Sequence, residues 1–353
     1  MGTDSAPSDV GVTGRSPLHW FSMMAPAPLA APSRVCVVGS LNMDLVVRAP
    51  RIAREGETVL GGAYRTFAGG KGANQAIAAS RLGANVTLIG SIGDDPHGIK
   101  LLDTLRAEAG KGETLELKCI IVRAGESTGL ALITVADGGE NAIVVSPGAN
   151  ALLTPADIES AADSIRACDV LLMQLEVPTP ALQAAAQIAH DAGKSIVLNA
   201  APARALPPDL LRRVDVLVAN RSEASRLLQL EASVDPARLA MSLLAMGPPT
   251  VVVTLGAQGA ILNSRGRMRR VPTPHVTAVD TTGAGDAFCG ALASMWPTVA
   301  RAPKGNDELR AVEHAVAFAS AAGALATTKA GAIQSLPKLA EVEAMARTLV
   351  VQP

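Results

Sequence analysis

Asp280 and Asp286 stand on either side of a Thr-Thr-Gly-Ala-Gly turn in residues 279–294, Val-Asp-Thr-Thr-Gly-Ala-Gly-Asp-Ala-Phe-Cys-Gly-Ala-Leu-Ala-Ser. Gly283 and Gly285, with Ala284 between them, keep bulky side chains out of the turn, and the run of small residues after it has helical character. Exposed N–H groups at a helix start, with the positive end of the helix dipole, make an anion site. Asp286 falls in the first turn of that helix, where a carboxylate stays ionised and can accept a proton. A phosphate cradle beside a base is the minimum equipment for moving a phosphoryl group onto a hydroxyl. The plainer alternative is that Asp286 only caps the helix, a common role for aspartate.

Two further stretches carry polar groups suited to a small hydroxylated ligand. Gly69-Gly70-Lys71-Gly72-Ala73-Asn74-Gln75 opens a helix running to about residue 82, with Lys71 and Asn74 one turn apart. It lacks the spacing of a Walker P-loop, and three glycines in four residues favour a close backbone approach. Leu41-Asn42-Met43-Asp44 follows a short apolar run at 35–39. Asn42 and Asp44, two apart, project to the same side of an extended segment.

The elements that must hold these groups read as alternating strands and helices. Strands fall at 35–39, 86–90, 169–175, 195–198, 215–219 and 250–255, with helices from about 96 to 109, 179 to 192, 306 to 328 and 338 to 349. This repetition predicts an α/β fold, an open and mostly parallel sheet with helices on both faces. Polar residues recur where strands end, Asn42, Asp44, Glu176, Asn220, Thr254 and Asp280, which points to one shared crevice. Short β-like pieces at 59–62, 63–67, 128–135 and 142–146 do not alternate with helices, and an Asp137-Gly138 turn signal joins the last two. They predict a small antiparallel sheet, built from about 42–68 and 128–147.

Composition narrows the class. Aromatic residues make up only 2% of the chain, so helices and sheet must pack closely through aliphatic and alanine side chains. A net charge of −1 gives no electrostatic case for nucleic acid or membrane partners. Cys36, Cys119, Cys168 and Cys289 form no C-x-x-C pair and no zinc spacing with a histidine. Residues 1–33 read as a flexible tail before a single domain at 34–353. No basic start followed by an apolar core argues for a secretory signal, and no apolar run is long enough to span a bilayer. A cytoplasmic protein with reduced cysteines is expected.

From about residue 34 to 337, Asn42-Met43-Asp44, the Gly69–Gln75 motif, Gln174-Leu175-Glu176, Asn220 with Glu223, and Asp280–Asp286 resemble, in order, the ribokinases within the PfkB group of carbohydrate kinases. The resemblance implies ATP-dependent phosphorylation of D-ribose at its 5-hydroxyl to give D-ribose 5-phosphate and ADP. It implies sugar contacts from Asn42, Asp44, Gly70, Lys71, Asn74 and Glu176, with Asp286 as base and Gly283, Ala284 and Gly285 as anion hole. A nucleotide site would draw on Asn220, Glu223, Thr254, Leu255, Gly256, Ala257, Gln258, Gly259, Gly285 and Ser320, with Glu223 helping to place Mg2+. A K+ ion would sit near Asp280, Thr282, Ala326, Lys329, Gly331 and Ser335, several acting through backbone carbonyls. The resemblance also implies that the small sheet is a β lid and serves as a homodimer contact. Alternatives are a related kinase for deoxyribose, fructose or a nucleoside, and a catalytically silent sugar-binding regulator. Two departures, Ala200 where the family often has proline and a polar 111–117 segment, touch loop shape rather than chemistry.

Overall fold

Val35 and Val37 turn to one face of their strand, Cys36 and Val38 to the other, and all four are buried. A strand covered on both faces belongs to a sheet layered between helices. The computed structural model describes residues 32–109, 114–231 and 233–349. All but the last two residues of the expected 1–33 tail lie outside them, as do residues 111–113 of the polar 111–117 segment.

The elements run β1 (Arg34–Val38), β2 (Asn42–Ala49), β3 (Arg65–Gly69), α1 (Lys71–Arg81), β4 (Asn85–Gly93), α2 (Pro96–Ala109), β5 (Leu115–Glu116), β6 (Ile120–Arg123), β7 (Gly129–Ala136) and β8 (Asn141–Ser146). Then come α3 (Pro155–Ser160), α4 (Ala162–Ala167), β9 (Val170–Met173), α5 (Thr179–Asp191), β10 (Ser195–Asn199), α6 (Pro208–Arg213), β11 (Val216–Asn220), α7 (Arg221–Leu228), α8 (Pro236–Leu244) and β12 (Thr250–Thr254). The described chain closes with β13 (Ala260–Ser264), β14 (Arg267–Val271), α9 (Ala284–Arg301), α10 (Asn306–Ala326) and α11 (Leu339–Ala346).

The main sheet has the order β14-β13-β12-β11-β10-β9-β1-β4-β5, with β6 also paired to β4. Every pairing from β12 to β5 is parallel, and β13 and β14 add an antiparallel edge. Helices α1, α2, α9, α10 and α11 bury their apolar sides on one face, α3 to α8 on the other. The fold class read from the sequence is thus the one observed.

A second sheet, order β3-β2-β7-β8, stands apart from the first. Its outer pairings are antiparallel, while the central one, β2 with β7, is parallel. The β7–β8 hairpin closes at Ala136, whose N–H donates to Glu140 O at 2.9 Å. Residues 59–62, expected as a strand, are irregular. Leu60 is 88% exposed and has no face to bury, and two glycines follow it with no side chains to pack. The β13–β14 hairpin went unread because its signal is small: Arg265 and Gly266 both take positive φ, the two-residue turn that suits a twisted ribbon. Asp280 does not end a strand. It lies in the irregular segment between β14 and α9.

Close helix packing replaces aromatic filling where α9 crosses α1. A Cβ built on Gly290 would lie 2.6 Å from Ala78 Cβ, 2.8 Å from Gln75 O and 2.9 Å from Ala79 N. Two of those neighbours are backbone and cannot step aside. Gly290→Ala should therefore lower the unfolding free energy by about 1–3 kcal/mol through overpacking, despite alanine's better helix propensity. Denaturant unfolding beside the wild type checks this, and an equal or higher midpoint would refute it.

Candidate active site

Chain crossing from the main sheet to the lid builds the floor of the site. β1 ends at Val38, and after Gly39-Ser40-Leu41 the chain enters the second sheet as β2 with Asn42 and Asp44 at its start. The glycines before α1 press against this junction. A Cβ on Gly70, whose φ is 89°, would sit 2.7 Å from Asn42 N and 2.8 Å from Ser40 O, and one on Gly69 would sit 2.4 Å from Asp44 Oδ2. The close approach expected of this motif is thus made to the chain's own backbone and to Asp44. It leaves Lys71, Asn74 and Gln75 at the start of a helix aimed at the same spot.

Asp286 meets them from α9. Its Oδ2 accepts from Asn74 Nδ2 at 2.8 Å and its Oδ1 from Gln75 Nε2 at 2.9 Å. Asn74 Oδ1 is buried and has no partner among the described residues, leaving an acceptor for a ligand hydroxyl. Glu176, just past β9, accepts from Ser40 Oγ at 2.5 Å and lies 3.8 Å from Lys71 Nζ. Asn42 Oδ1 accepts from Asn150 Nδ2 at 2.8 Å, so the Asn42 amide nitrogen is the end left for a ligand. Asn150 also bonds both backbone groups of Leu41. Sequence reading passed over Asn150. Its signal is indirect: a Cβ on Gly129 would strike Asn150 Nδ2 and Asn42 Oδ1 at 2.2 Å.

The helix start is built as the motif suggests. Gly283 caps α9 with φ 78° and no side chain caps the helix. A Cβ on Gly285 would meet nothing within 4 Å, so protein packing does not demand glycine there. An open surface over uncapped amides fits an anion. Of the residues expected on a nucleotide side, Asn220, Glu223 and Thr254 lie together. Asn220 and Thr254 are the last residues of β11 and β12 and pair directly. Asn220 Oδ1 and Glu223 form a reciprocal cap on α7, with Glu223 Oε2 accepting from Asn220 N at 2.8 Å. Leu255 to Gly259 close an exposed turn, Leu255 N donating to Gly259 O at 2.8 Å. Ser320 is buried on α10, and its carbonyl accepts from Thr273 Oγ1 at 3.4 Å. No described hydrogen bond joins it to that turn.

Asp280 ties the loop after α10 to the α9 turn. Its Oδ1 accepts from Thr282 N and its Oδ2 from Gly331 N, each at 2.9 Å. Thr327 O, just past Ala326, takes the N–H groups of Val279 and Asp280. Lys329 directs its ammonium to Glu341 at 3.2 Å, which leaves its carbonyl for the loop. Ser335 is fully buried and donates to Ala332 O at 2.8 Å. No cluster of three or more His, Cys, Asp or Glu that could hold a metal occurs among the described residues.

The charges share one field. Burial first, then Glu176 and Asp286, push the Asp44 carboxyl up to about 7. Burial raises Asp286, opposed by Lys71 and the two amide donors. Burial would lower Lys71, but Asp286, Glu176 and Glu223 outweigh it and hold the ammonium above its ordinary value. Burial raises Glu223, which also feels Lys71 and Asp286. Four carboxylates facing one ammonium would repel bare phosphates, so a polyphosphate needs its own cation here.

The pfkB family carbohydrate kinase profile matches residues 32–339. The chain is 38% identical over 313 residues to a ribokinase of Staphylococcus aureus, 88% of this chain and 98% of that one. It is 33% identical over 309 residues to a deoxyribokinase of Salmonella typhi, 86% of this chain and 96% of that one. The solved structure of Arabidopsis thaliana ribokinase complexed with ribose and ATP superposes with a TM-score of 0.75 at 31% identity, covering 90% of this chain and 99% of that one. The chain belongs to the pfkB family of carbohydrate kinases. It is an ATP-dependent sugar kinase.

An ionised Asp44 can only accept hydrogen bonds from a ligand's hydroxyls, and its protonated form gives up part of that capacity. Ligand binding should therefore draw the carboxyl below about 7, and sugar affinity should fall as pH drops through that value. The expected dissociation constant for sugar rises, approaching tenfold per pH unit below 7, and Asp44→Asn flattens the dependence. Titration calorimetry between pH 5.5 and 8 decides it, and a level wild-type profile would refute it.

Proposed function

We propose that this enzyme transfers the γ-phosphoryl group of ATP to the 5-hydroxyl of D-ribose, giving D-ribose 5-phosphate and ADP. The observation that carries the reading is Asp286, a buried carboxylate at an uncapped glycine-flanked helix start, hydrogen-bonded to Asn74 in a pocket shared with Asn42, Asp44, Lys71 and Glu176. Asn42, Asp44 and Asn74 offer donors and acceptors to adjacent sugar hydroxyls. Asp286 takes the proton of the reacting hydroxyl as its oxygen bonds to the γ-phosphorus and the bond to the ADP oxygen breaks. Amides at 283–285 meet the charge on the transferring group.

Asn220, Glu223 and the 254–259 turn line the nucleotide's side. Mg2+ bound with ATP neutralises phosphate charge. Glu223 suits a place beside it, because only its Oε2 is taken up by the cap. A K+ ion among the carbonyls near Ala326, Lys329 and Gly331, with Asp280, Thr282 and Ser335, would brace the turn that aims the amides. The donor set is mostly carbonyl and hydroxyl oxygen, which suits a weakly hydrated monovalent ion better than a carboxylate cage. Replacing potassium by lithium at fixed ionic strength should lower kcat, and an unchanged rate removes the ion from this account.

The second reading, deoxyribose as substrate, draws on the likeness to the Salmonella typhi deoxyribokinase. A pocket that bonds the 2-hydroxyl rejects the analogue lacking it, because buried polar groups are then left unpaired. D-ribose should exceed 2-deoxyribose in kcat/KM in a coupled ADP-release assay, where the reverse order would favour the second reading. In the same assay Asp286→Asn should lower kcat by about 10²–10⁴-fold with ATP binding nearly kept. Asparagine caps helices well, so near-normal turnover would reduce Asp286 to a cap.

The lid supports a homodimer. β8 is an edge strand with Ile143, Val144 and Val145 consecutively exposed, and Leu132 beside it on β7 is 47% exposed. A second copy's lid would cover this apolar edge. Light scattering should give a dimer at micromolar concentration, converted to monomer by Val144→Lys. A monomeric wild type would defeat this contact.

A further inference from the structure

Asp286 has a second amide partner that the sugar does not need. Gln75 is fully buried, and its Nε2 uses both hydrogens, one to Asp286 Oδ1 at 2.9 Å and one to Asn199 Oδ1 at 3.1 Å. Its Oε1 accepts from Gln174 Nε2 at 2.7 Å, and Gln174 is also fully buried. Room for that glutamine comes from Gly39, where a Cβ would fall 1.9 Å from Gln174 Oε1. We propose that Gln75 is a positioning residue for the base Asp286, and that Gln174 fixes which end of the Gln75 amide faces it. The proposal deepens the phosphoryl-transfer reading and rests on it for the role of Asp286.

The geometry allows one orientation. Turned over, Gln75 would set its oxygen against Asp286 Oδ1 and Asn199 Oδ1, and its nitrogen against Gln174 Nε2, making three repulsive contacts from three bonds. Asp286 Oδ1, which can only accept, makes that reversal costly, and Gln174, reaching across from the end of β9, adds its own donor to the preference. Asn74 holds Oδ2 in the same way, so the carboxylate plane is fixed at both oxygens. A neutral amide suits the task. It holds the ionised form without the proximity of a cation, which would make the base weaker. Lys71 on α1 provides positive charge at longer range, against Glu176 beyond β9, Asp44 on β2 and Glu223 on α7, with the Cys289 thiol one turn along α9.

The test compares wild type with Gln75→Met, Gln174→Met and the double variant, since methionine keeps the length and loses the amide. Losing a hydrogen bond to the charged form raises a carboxyl pKa. Gln75→Met should lower kcat about tenfold to a hundredfold with sugar binding nearly kept. It should also move the acid limb of kcat/KM to higher pH, a shift that a packing role alone would not produce. Gln174→Met should act in the same direction but less, and the double variant should be no slower than Gln75→Met, because Gln174 works through Gln75. An unmoved acid limb with kcat within twofold of wild type in Gln75→Met overturns the proposal, and fully additive losses overturn the part assigned to Gln174. If Gln75→Met does not fold, the acid limb of Gln174→Met decides in the same sense. Infrared titration of the Asp286 carboxylate, with Asp286→Asn as blank, separates this from the reaction itself. A wild type that phosphorylates no sugar sinks the proposed function, while an upward shift of that titration in Gln75→Met still upholds the role of Gln75.

Discussion

A carboxylate held away from water is the constraint around which this structure is arranged. Burying Asp286 disfavours its charge, and the fold answers with two amide donors at hydrogen-bonding distance and one ammonium farther off. The amides come from consecutive residues of α1, so α1 and α9 must cross closely at their first turns. Glycine at 290 permits that crossing, since a side chain there would strike the backbone of α1, and glycine at 72 lets α1 sit against the backbone of Gly39 and Ser40. The alanine-rich, aromatic-poor composition expresses the same need: smooth helices can approach a sheet and one another more closely than helices bearing rings.

The parallel sheet supplies direction. Its strands deliver Asn42, Glu176, Asn220 and Thr254 toward one end, as open α/β sheets do. The Asn74 side and the Glu223 side meet at the start of α9, where Asp286 bonds Asn74 and feels Glu223. Asp280, on the segment leading into α9, holds the loop at Gly331 and the turn at Thr282 together through one carboxylate. The position of the anion-binding amides thus depends on contacts behind the turn as well as on the turn.

Much of this was legible because it is local. Apolar runs gave the buried strands, and Asp286, Asn74 and Lys71 sit in glycine motifs whose backbone demands show in the sequence itself. Asp280 was legible as a residue but not as a position, since nothing local tells a strand end from an irregular segment. The strand expected at 59–62 failed because extended preference without a face to bury does not make a strand. Asn150 and the Gln75–Gln174 pair were missed because their partners lie far away in the chain, and glutamine or asparagine in a core looks like any polar residue until its partner is known. Only Gly39 and Gly129, empty where those amides must fit, recorded them.

The parallel pairing of β2 with β7 carries a consequence for how the molecule can be assembled and altered. Asn42 meets Gly129 across it, so the second sheet is stitched from two passages of chain separated by α1, β4, α2, β5 and β6. It is not a cassette inserted between two sites in the chain and cannot be excised or transplanted as one piece. Its central pairing can form only after the intervening chain has folded back. Because β2 begins with Asn42 and Asp44, the placing of these two polar side chains depends on that pairing.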